Sequence, residues 1–140
     1  MKVKGTAVKT IPEFIRFQQD QKYSEWINSL PPQSKKIFSE GVKASDWYPI
    51  DDALIIPTRA MSQLLFQNET KGAWECGRYS AKIALTGIYK LYVKMSSPGH
   101  IIDRACRVLQ AYYDPSDLSV VSKGKNSVTL HITKFPKSDK

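Results

Sequence analysis

The sequence contains few of the side chains from which catalytic and metal sites are usually built. It has only two histidines, His100 and His131, and two cysteines, Cys76 and Cys106. Zinc binding requires three or four grouped ligands, and neither histidine belongs to such a group. Glycine-rich phosphate loops and the Gly-x-Ser-x-Gly motif of serine hydrolases are also missing. We therefore expect a protein that is not an enzyme and that carries no metal and no cofactor.

Long apolar segments are missing as well. No uncharged apolar run approaches the roughly 20 residues that cross a bilayer, so we expect no membrane span. Residues 1–6 lack the apolar stretch that is typical of a secretory signal. The two cysteines lie far apart within apolar helical patterns, which predicts buried free thiols rather than a disulfide framework. Together these features predict a cytoplasmic protein.

What the chain does contain is typical of a globular domain. Its 140 residues are 41% hydrophobic and 24% charged, which supplies enough apolar material for a core without disulfides or metals. We predict a single domain over residues 1–140.

The pattern of apolar residues predicts an α+β fold. Val3–Val8 is typical of a strand, and a block of helices follows it. Leu118–Ser122 and Val128–Thr133 then alternate apolar and polar residues around a Lys-Gly-Lys-Asn turn, which predicts a β-hairpin. Because the strands are segregated from the helices, we expect helices on one face of a small antiparallel sheet. That sheet would combine the N-terminal strand with the C-terminal hairpin.

Two helices in the middle of the chain carry the clearest apolar periodicity. The first is predicted from about residue 50 to 66, and Pro57 either kinks it or marks its real start. The second is predicted from Thr70 to Met95. Its expected buried stripe consists of Trp74, Gly77, Ala81, Ala84, Leu85, Ile88, Leu91, Tyr92 and Met95. Because the stripe begins with small residues, we expect another element to approach closely near Gly77 and Ala81.

Basic residues outnumber acidic ones by 21 to 13, which gives a formal charge of +8. Such a charge favours anionic partners such as nucleic acid, an acidic protein surface or anionic lipid. Many of the lysines lie in the terminal segments, among them Lys2, Lys4, Lys9, Lys123, Lys125 and Lys134. If those segments pair in one sheet, the sheet carries a basic surface. The alternative is that these lysines keep exposed strand edges from pairing with other chains.

Several short motifs follow one another in a specific order along nearly the whole chain. They are Lys4-Gly5-Thr6, Trp47-Tyr48-Pro49, Gly77, Gly87-Ile88-Tyr89-Lys90, Ser97-Pro98, Tyr112-Tyr113-Asp114-Pro115 and Phe135-Pro136. In this order, the chain resembles a family of small, mostly uncharacterised bacterial proteins. That family is similar to a wider ligand-binding fold, whose branches include vesicle-tethering TRAPP subunits, vinyl-reductase-type sensor domains and relatives of haem-based nitric oxide sensors. Members often have a glycine after the Tyr-Tyr-Asp-Pro run, where this chain has Ser116-Asp117.

The resemblance implies a TRAPP-like packing of helices over an antiparallel sheet and a homodimer formed through helices. In several branches it also implies a hydrophobic cavity that holds a fatty-acid chain or another apolar ligand. Haem is not implied, because the axial histidine and the Tyr-x-Ser-x-Arg run of the haem sensors are not recognisable. Acylated relatives use a buried helical cysteine, for which Cys76 is the candidate.

Three functional hypotheses follow from the sequence. The leading one is a dimeric, non-enzymatic binding or scaffold domain in bacterial signalling or regulation, which binds a hydrophobic ligand, a protein partner or both. Its candidate ligand-binding residues are Leu64, Leu65, Trp74, Cys76, Gly77, Ala81, Ala84 and Ile88, although the same residues could simply fill the core. The second hypothesis is a nucleic-acid-binding module that uses the lysine-bearing sheet. A vestigial enzyme of the vinyl-reductase type is the third.

Overall fold

The computed structural model describes residues 1–86 and 97–134. It confirms an α+β fold, with two small antiparallel sheets among many helices. The elements in chain order are β1 (Lys2–Lys4), α1 (Gly5–Val8), α2 (Thr10–Gln19), a 3-10 turn (Asp20–Lys22), α3 (Tyr23–Ser29), α4 (Pro32–Ser39), β2 (Trp47–Pro49), a π-helical segment (Asp51–Ile55), α5 (Ile56–Phe66), α6 (Glu69–Thr86), α7 (Pro98–Tyr112), β3 (Tyr113–Asp114), β4 (Asp117–Lys123) and β5 (Val128–Thr133).

The first sheet has the strand order β2-β1-β3, with β1 antiparallel to both neighbours. Val3 is fully buried at its centre and lies opposite both Tyr48 and Tyr113. The flanking residues Lys2 and Lys4 point to the other face, because side chains alternate along a strand. One face of this sheet therefore closes the core, while the other carries lysines.

The N-terminal strand is shorter than predicted. The sequence pattern favoured a strand over Val3–Val8, but only Lys2–Lys4 is extended and Gly5–Val8 is helical. The chain turns at Gly5, whose N–H donates to the Asp46 carbonyl at 2.8 Å. A Cβ at this position would collide with the Lys43 carbonyl oxygen, so only glycine fits the turn.

The predicted sheet of N-terminal strand and C-terminal hairpin is also wrong. The hairpin itself is confirmed, because β4 and β5 pair antiparallel, but they form a second sheet of their own. The strands that flank β1 are β2 and β3, both of which are very short. Pro115 directly follows β3 and has no N–H to donate, which is one physical reason for the ladder to stop there.

Among the residues that the structure describes, the hydrophobic core is built mainly from the first 76. Its buried members are Val3, Val8, Ile11, Phe14, Ile15, Trp26, Leu30, Phe38, Ile50, Ala53, Met61 and Cys76. Trp26 is completely buried, and its indole N–H donates to the Pro57 carbonyl at 3.0 Å. This bond satisfies the polar atom of a large apolar side chain and ties α3 to the start of α5.

Helices α5 and α6 form a tight helical hairpin. The connection is only two residues long, with Gln67 in the left-handed conformation that commonly ends a helix. Asn68 then caps α6, since its side-chain oxygen accepts from the Lys71 N–H at 2.9 Å. The helices touch where Gly72 faces Ser62, and a Cβ on Gly72 would collide with the Ser62 side chain.

The close helix approach therefore occurs earlier along α6 than predicted, at Gly72 rather than near Gly77 and Ala81. Gly72 and Cys76 point into the core, whereas Gly77 and Ala81 are exposed. Trp74 and Leu85 were also expected inside but are 71% and 51% exposed. The predicted stripe lies on the wrong side of α6. Several sets of residues at spacings of three and four fit the same apolar pattern, and tertiary packing determines which side of the helix meets α5. Residues 88, 91, 92 and 95 of the predicted stripe lie outside the described residues.

None of the helices described in residues 1–86 and 97–134 has both the length and the apolarity to cross a membrane.

The contact between Gly72 and Ser62 leads to a stability prediction. We expect Gly72→Ala to destabilise the fold by about 1–3 kcal/mol, because the added methyl group overpacks a crossing that has no free space. The reciprocal double variant Ser62→Gly/Gly72→Ala moves the missing side chain to the other helix and should recover part of the loss. Urea unfolding measures both variants.

Gly77→Ala is the matched control, because among the described residues no atom lies within 4 Å of a Cβ built there. It should leave stability unchanged or raise it by up to about 1 kcal/mol, since alanine favours a helix. Equal losses from the two glycine substitutions would contradict a specific crossing at Gly72.

Candidate functional site

A groove of about 530 Å³ lies between the π-helical segment, α5 and the first turns of α6. Its apolar lining residues are Leu54, Ile55, Ala73 and Trp74, and its polar lining residues are Thr58, Arg59, Ser62, Glu69 and Thr70. The groove falls within the roughly 300–1,000 Å³ range of small-molecule sites, which are mostly apolar with a few polar groups. We call it the α5–α6 groove.

The π-helical segment places two aliphatic side chains in this groove. Its wide turn is closed by the Ile56 N–H, which donates to the Asp51 carbonyl five residues earlier. Pro57 has no N–H to offer the Ala53 carbonyl, so the ordinary helical ladder is interrupted at this point. Ala53 is buried in the core, while Leu54 and Ile55 are only half-buried and line the groove. Single π-turns within helices are frequent at functional sites.

An ion pair lies at the polar side of the groove. Arg59 Nε and a Glu69 carboxylate oxygen are 3.6 Å apart, and their side chains are 54% and 62% exposed. An exposed pair of this kind contributes at most about 1 kcal/mol, because water and salt screen it. A ligand could therefore separate the pair at little energetic cost and use the Arg59 guanidinium.

A buried hydroxyl group lies where the groove meets the helix crossing. Ser62 is fully buried, and its Oγ has no hydrogen-bond partner among the described residues. An unpaired buried hydroxyl costs about 1–3 kcal/mol relative to one that is hydrogen-bonded. Ser62 thus places a buried hydroxyl group among the lining residues of the groove.

Among the predicted ligand-binding residues that the structure describes, only one lines this groove. Trp74 does so; Leu64 and Leu65 are half-buried against the core, and Cys76 lies within it. Gly77 and Ala81 are exposed on α6, and Ala84 is half-buried. Ile88 lies outside the described residues.

The other groove residues were missed, although the sequence holds a signal for them. Ile55, Thr58, Arg59 and Ser62 recur at spacings of three and four, which places them on one face of a helix. That face carries both apolar and polar side chains, so it lacks the purely apolar stripe that indicates a buried helix face. Pro57, which was expected to kink this helix or to start it, marks the interrupted turn beside them.

The Cys76 thiol is poorly suited to covalent acylation. It is a free thiol inside the core, and burial raises its pKa from the usual value of 9.0 to about 11. The thiolate is the nucleophilic form, and a pKa this high leaves very little of it at neutral pH.

The predicted basic surface is divided between the two sheets. Lys2 and Lys4 lie on β1, while Lys123, Lys125 and Lys134 belong to the hairpin or border it. Lys9 is exposed between α1 and α2. The lysines therefore do not share one sheet, because β1 and the hairpin do not pair.

The exposed face of the first sheet pairs a lysine with an aromatic ring, which the sequence pattern did not predict. Lys4 Nζ lies 4.8 Å from the centre of the Trp47 ring, and the two residues are direct partners in the β1–β2 ladder. Trp47 remains 39% exposed. We call Lys2, Lys4 and Trp47 the lysine–tryptophan face.

Groups of three or more His, Cys, Asp or Glu side chains that could hold a metal ion do not occur within the described parts of the chain. The chain matches no family model, no curated protein and no solved structure.

The raised pKa of Cys76 leads to a pH prediction. In the unfolded chain the thiol ionises near pH 9, whereas in the native state it ionises only near pH 11. The native state therefore loses stability as the pH rises from 9 towards 11, by up to about 2–3 kcal/mol. Urea unfolding at pH 8 and pH 11 should show this loss in the wild type.

The control for this experiment is Cys76→Ala, which removes the titrating group. It should unfold more easily at pH 8 because it leaves a cavity. Its further loss between pH 8 and pH 11 should be smaller than that of the wild type. Identical pH dependence in both proteins would show that Cys76 does not titrate as its burial requires.

Proposed function

We propose that this protein is a non-enzymatic binding module that holds an amphiphilic small molecule, with an apolar chain and an anionic head group, in the α5–α6 groove. The observation that carries the proposal is the 71% exposed Trp74 side chain in the wall of an apolar groove. An indole exposed to this extent has apolar area that a ligand can cover, and aromatic side chains contribute strongly to recognition.

The chemistry of the groove supports both parts of such a ligand. Leu54, Ile55, Ala73 and Trp74 offer an apolar surface for a hydrocarbon chain, and covering apolar area provides about 25 cal/mol per Å². Arg59 offers a planar cation for a carboxylate or phosphate at the end of that chain. The ligand class is therefore a fatty acid or a molecule of similar chemistry.

The resemblance to the TRAPP-related ligand-binding fold favours the same class of ligand. It rests on the order of the sequence motifs, and in that fold several branches hold an acyl chain or another apolar molecule. A TRAPP-like arrangement of the helices over the first sheet, and a role in bacterial signalling or regulation, are parts of this proposal.

Trp74 itself reports on ligand binding. In a Trp47→Phe background, the remaining indoles are Trp74, which is exposed, and Trp26, which is fully buried. Addition of decanoate should shift the Trp74 emission to shorter wavelength and saturate, because the chain replaces water around the ring. Trp74→Phe should abolish this shift. Arg59→Gln should weaken decanoate binding by roughly two- to fivefold, the range expected of an exposed charge, and weaken neutral decanol less.

Phe17→Ala is the matched control for Trp74. Phe17 is 70% exposed and lies outside the α5–α6 groove, in a second hollow between α2 and α6. Its substitution should leave decanoate binding unchanged. A wild-type response that does not saturate, or equal losses from the Phe17 and Arg59 variants, would argue for non-specific adsorption and against this proposal.

Binding of single-stranded nucleic acid is a second candidate function, and the lysine–tryptophan face is the observation that favours it. An exposed aromatic ring beside lysines can stack on a base while the ammonium groups contact phosphates. The net charge of +8 is consistent with such a partner.

Titration with oligothymidine at several salt concentrations tests this second candidate. Trp47→Ala should weaken binding by roughly 5- to 150-fold, which corresponds to about 1–3 kcal/mol of stacking. Lys2→Ala should reduce the slope of log K against log salt concentration by about 0.7, which corresponds to one phosphate contact on a single strand. Lys125→Ala, on the hairpin, is the control and should change little. Absence of binding at low salt would exclude this function.

A further inference from the structure

The outer strand of the hairpin, β5, has an edge with no partner among the described residues. Val128–Thr133 pairs along its length with β4, and the two strands form a sheet of only two. The backbone N–H and C=O groups along the other edge are therefore able to pair with a further strand. Isolated two-stranded sheets are marginally stable in water, and additional strands stabilise them.

One face of this hairpin is apolar and only partly covered. The cross-strand pairs Leu118–Ile132 and Val120–Leu130 lie on the same face, because alternate residues share a face. Helix α7 packs on β4, and Leu118 is only 9% exposed. On β5, however, Leu130 is 41% exposed and Ile132 is 52% exposed. The apolar surface thus continues to the open edge.

The composition of β5 lacks the features that usually protect an open edge. Its sequence, Val-Thr-Leu-His-Ile-Thr, has no lysine, no acidic residue, no proline and no glycine. Exposed edge strands usually carry charges, prolines or bulges that prevent pairing with other chains. The one irregularity in this hairpin lies on β4, between Val120 and Ser122. Strand β5 is therefore chemically suited to pairing.

We infer that β5 pairs antiparallel with β5 of a second copy of this chain, with Leu130 opposite Leu130 on the two-fold axis. In this register Val128 of each copy lies opposite Ile132 of the other, so three apolar cross-strand pairs form on the same face. Thr129 of each copy lies opposite His131 on the polar face. The two hairpins become one sheet of four strands, and the inference stands independently of the proposed ligand.

The sequence of β5 selects both the occupant and the register. An isologous interface requires a self-complementary surface, and β5 matches apolar with apolar and polar with polar when paired with itself. No formal charge meets a like charge across the strands. Centring the axis on His131 would instead place the two imidazoles opposite each other and leave only two apolar pairs. The axis at Leu130 is therefore favoured.

Charge exchange at Leu130 tests this register. The wild type should sediment as a dimer at high concentration, and its average mass should fall towards that of the monomer on dilution. Leu130→Lys and Leu130→Glu should each weaken the dimer on the order of tenfold or more, because like charges lie directly opposite each other. An equimolar mixture of the two variants should recover the dimer, since opposite charges then meet on the axis. Far-UV circular dichroism checks that both variants remain folded.

The recovery on mixing separates a lost interface from a lost fold, because misfolded variants would not recombine. Ala81→Lys is the control for pairing through helices, since Ala81 is exposed on α6, and it should leave the β5 dimer intact. A wild type that is monomeric at all concentrations would overturn the inference. So would single Leu130 variants that dimerise normally, a mixture that does not recover, or a dimer that only Ala81→Lys dissociates.

Discussion

The contact between Gly72 and Ser62 is the constraint on which the rest of this architecture depends. It brings the backbone of α6 against the Ser62 side chain of α5, and the two-residue connection holds the helix ends at this spacing. The crossing directs Cys76 into the core and leaves Trp74 in the wall of the groove. A wider crossing would separate the two walls, so the α5–α6 groove is a direct result of close helix packing.

The parts of the fold that were predictable from the sequence are those governed by local chemistry. The hairpin was predictable because strand alternation flanks a Lys-Gly-Lys-Asn turn, and α5 because its apolar residues recur with helical spacing. The partners of β1 were not predictable in this way. Trp47–Pro49 and Tyr113–Asp114 are too short to produce an alternating pattern, and their pairing with β1 is determined by how the intervening helices pack.

The residues of the candidate site, too, were only partly predictable from the sequence. Trp74 was identified from the sequence, but for the wrong reason, because it was expected in a buried stripe and is exposed in a groove wall. Leu54 was missed because a π-turn has no distinct sequence pattern, and Ile55 because its helix face mixes apolar and polar side chains. The concentration of lysines in the terminal segments is visible in the sequence. Their separation into two sheets, however, depends on strand pairing. Lys4 beside Trp47 is a consequence of that pairing.

The π-turn at Asp51–Ile55 has a consequence for how this protein tolerates changes in length. A π-turn contains about one residue more than the corresponding α-turn, so it is equivalent to a single-residue insertion within a continuous helix. Deletion of one residue here would rotate everything on one side of it by about 100° around the helix axis. Either Ile50 and Ala53 would leave the core, or Leu54 and Ile55 would leave the groove. The length of this segment, as much as its sequence, therefore determines whether the core residues and the groove residues can both lie in their places.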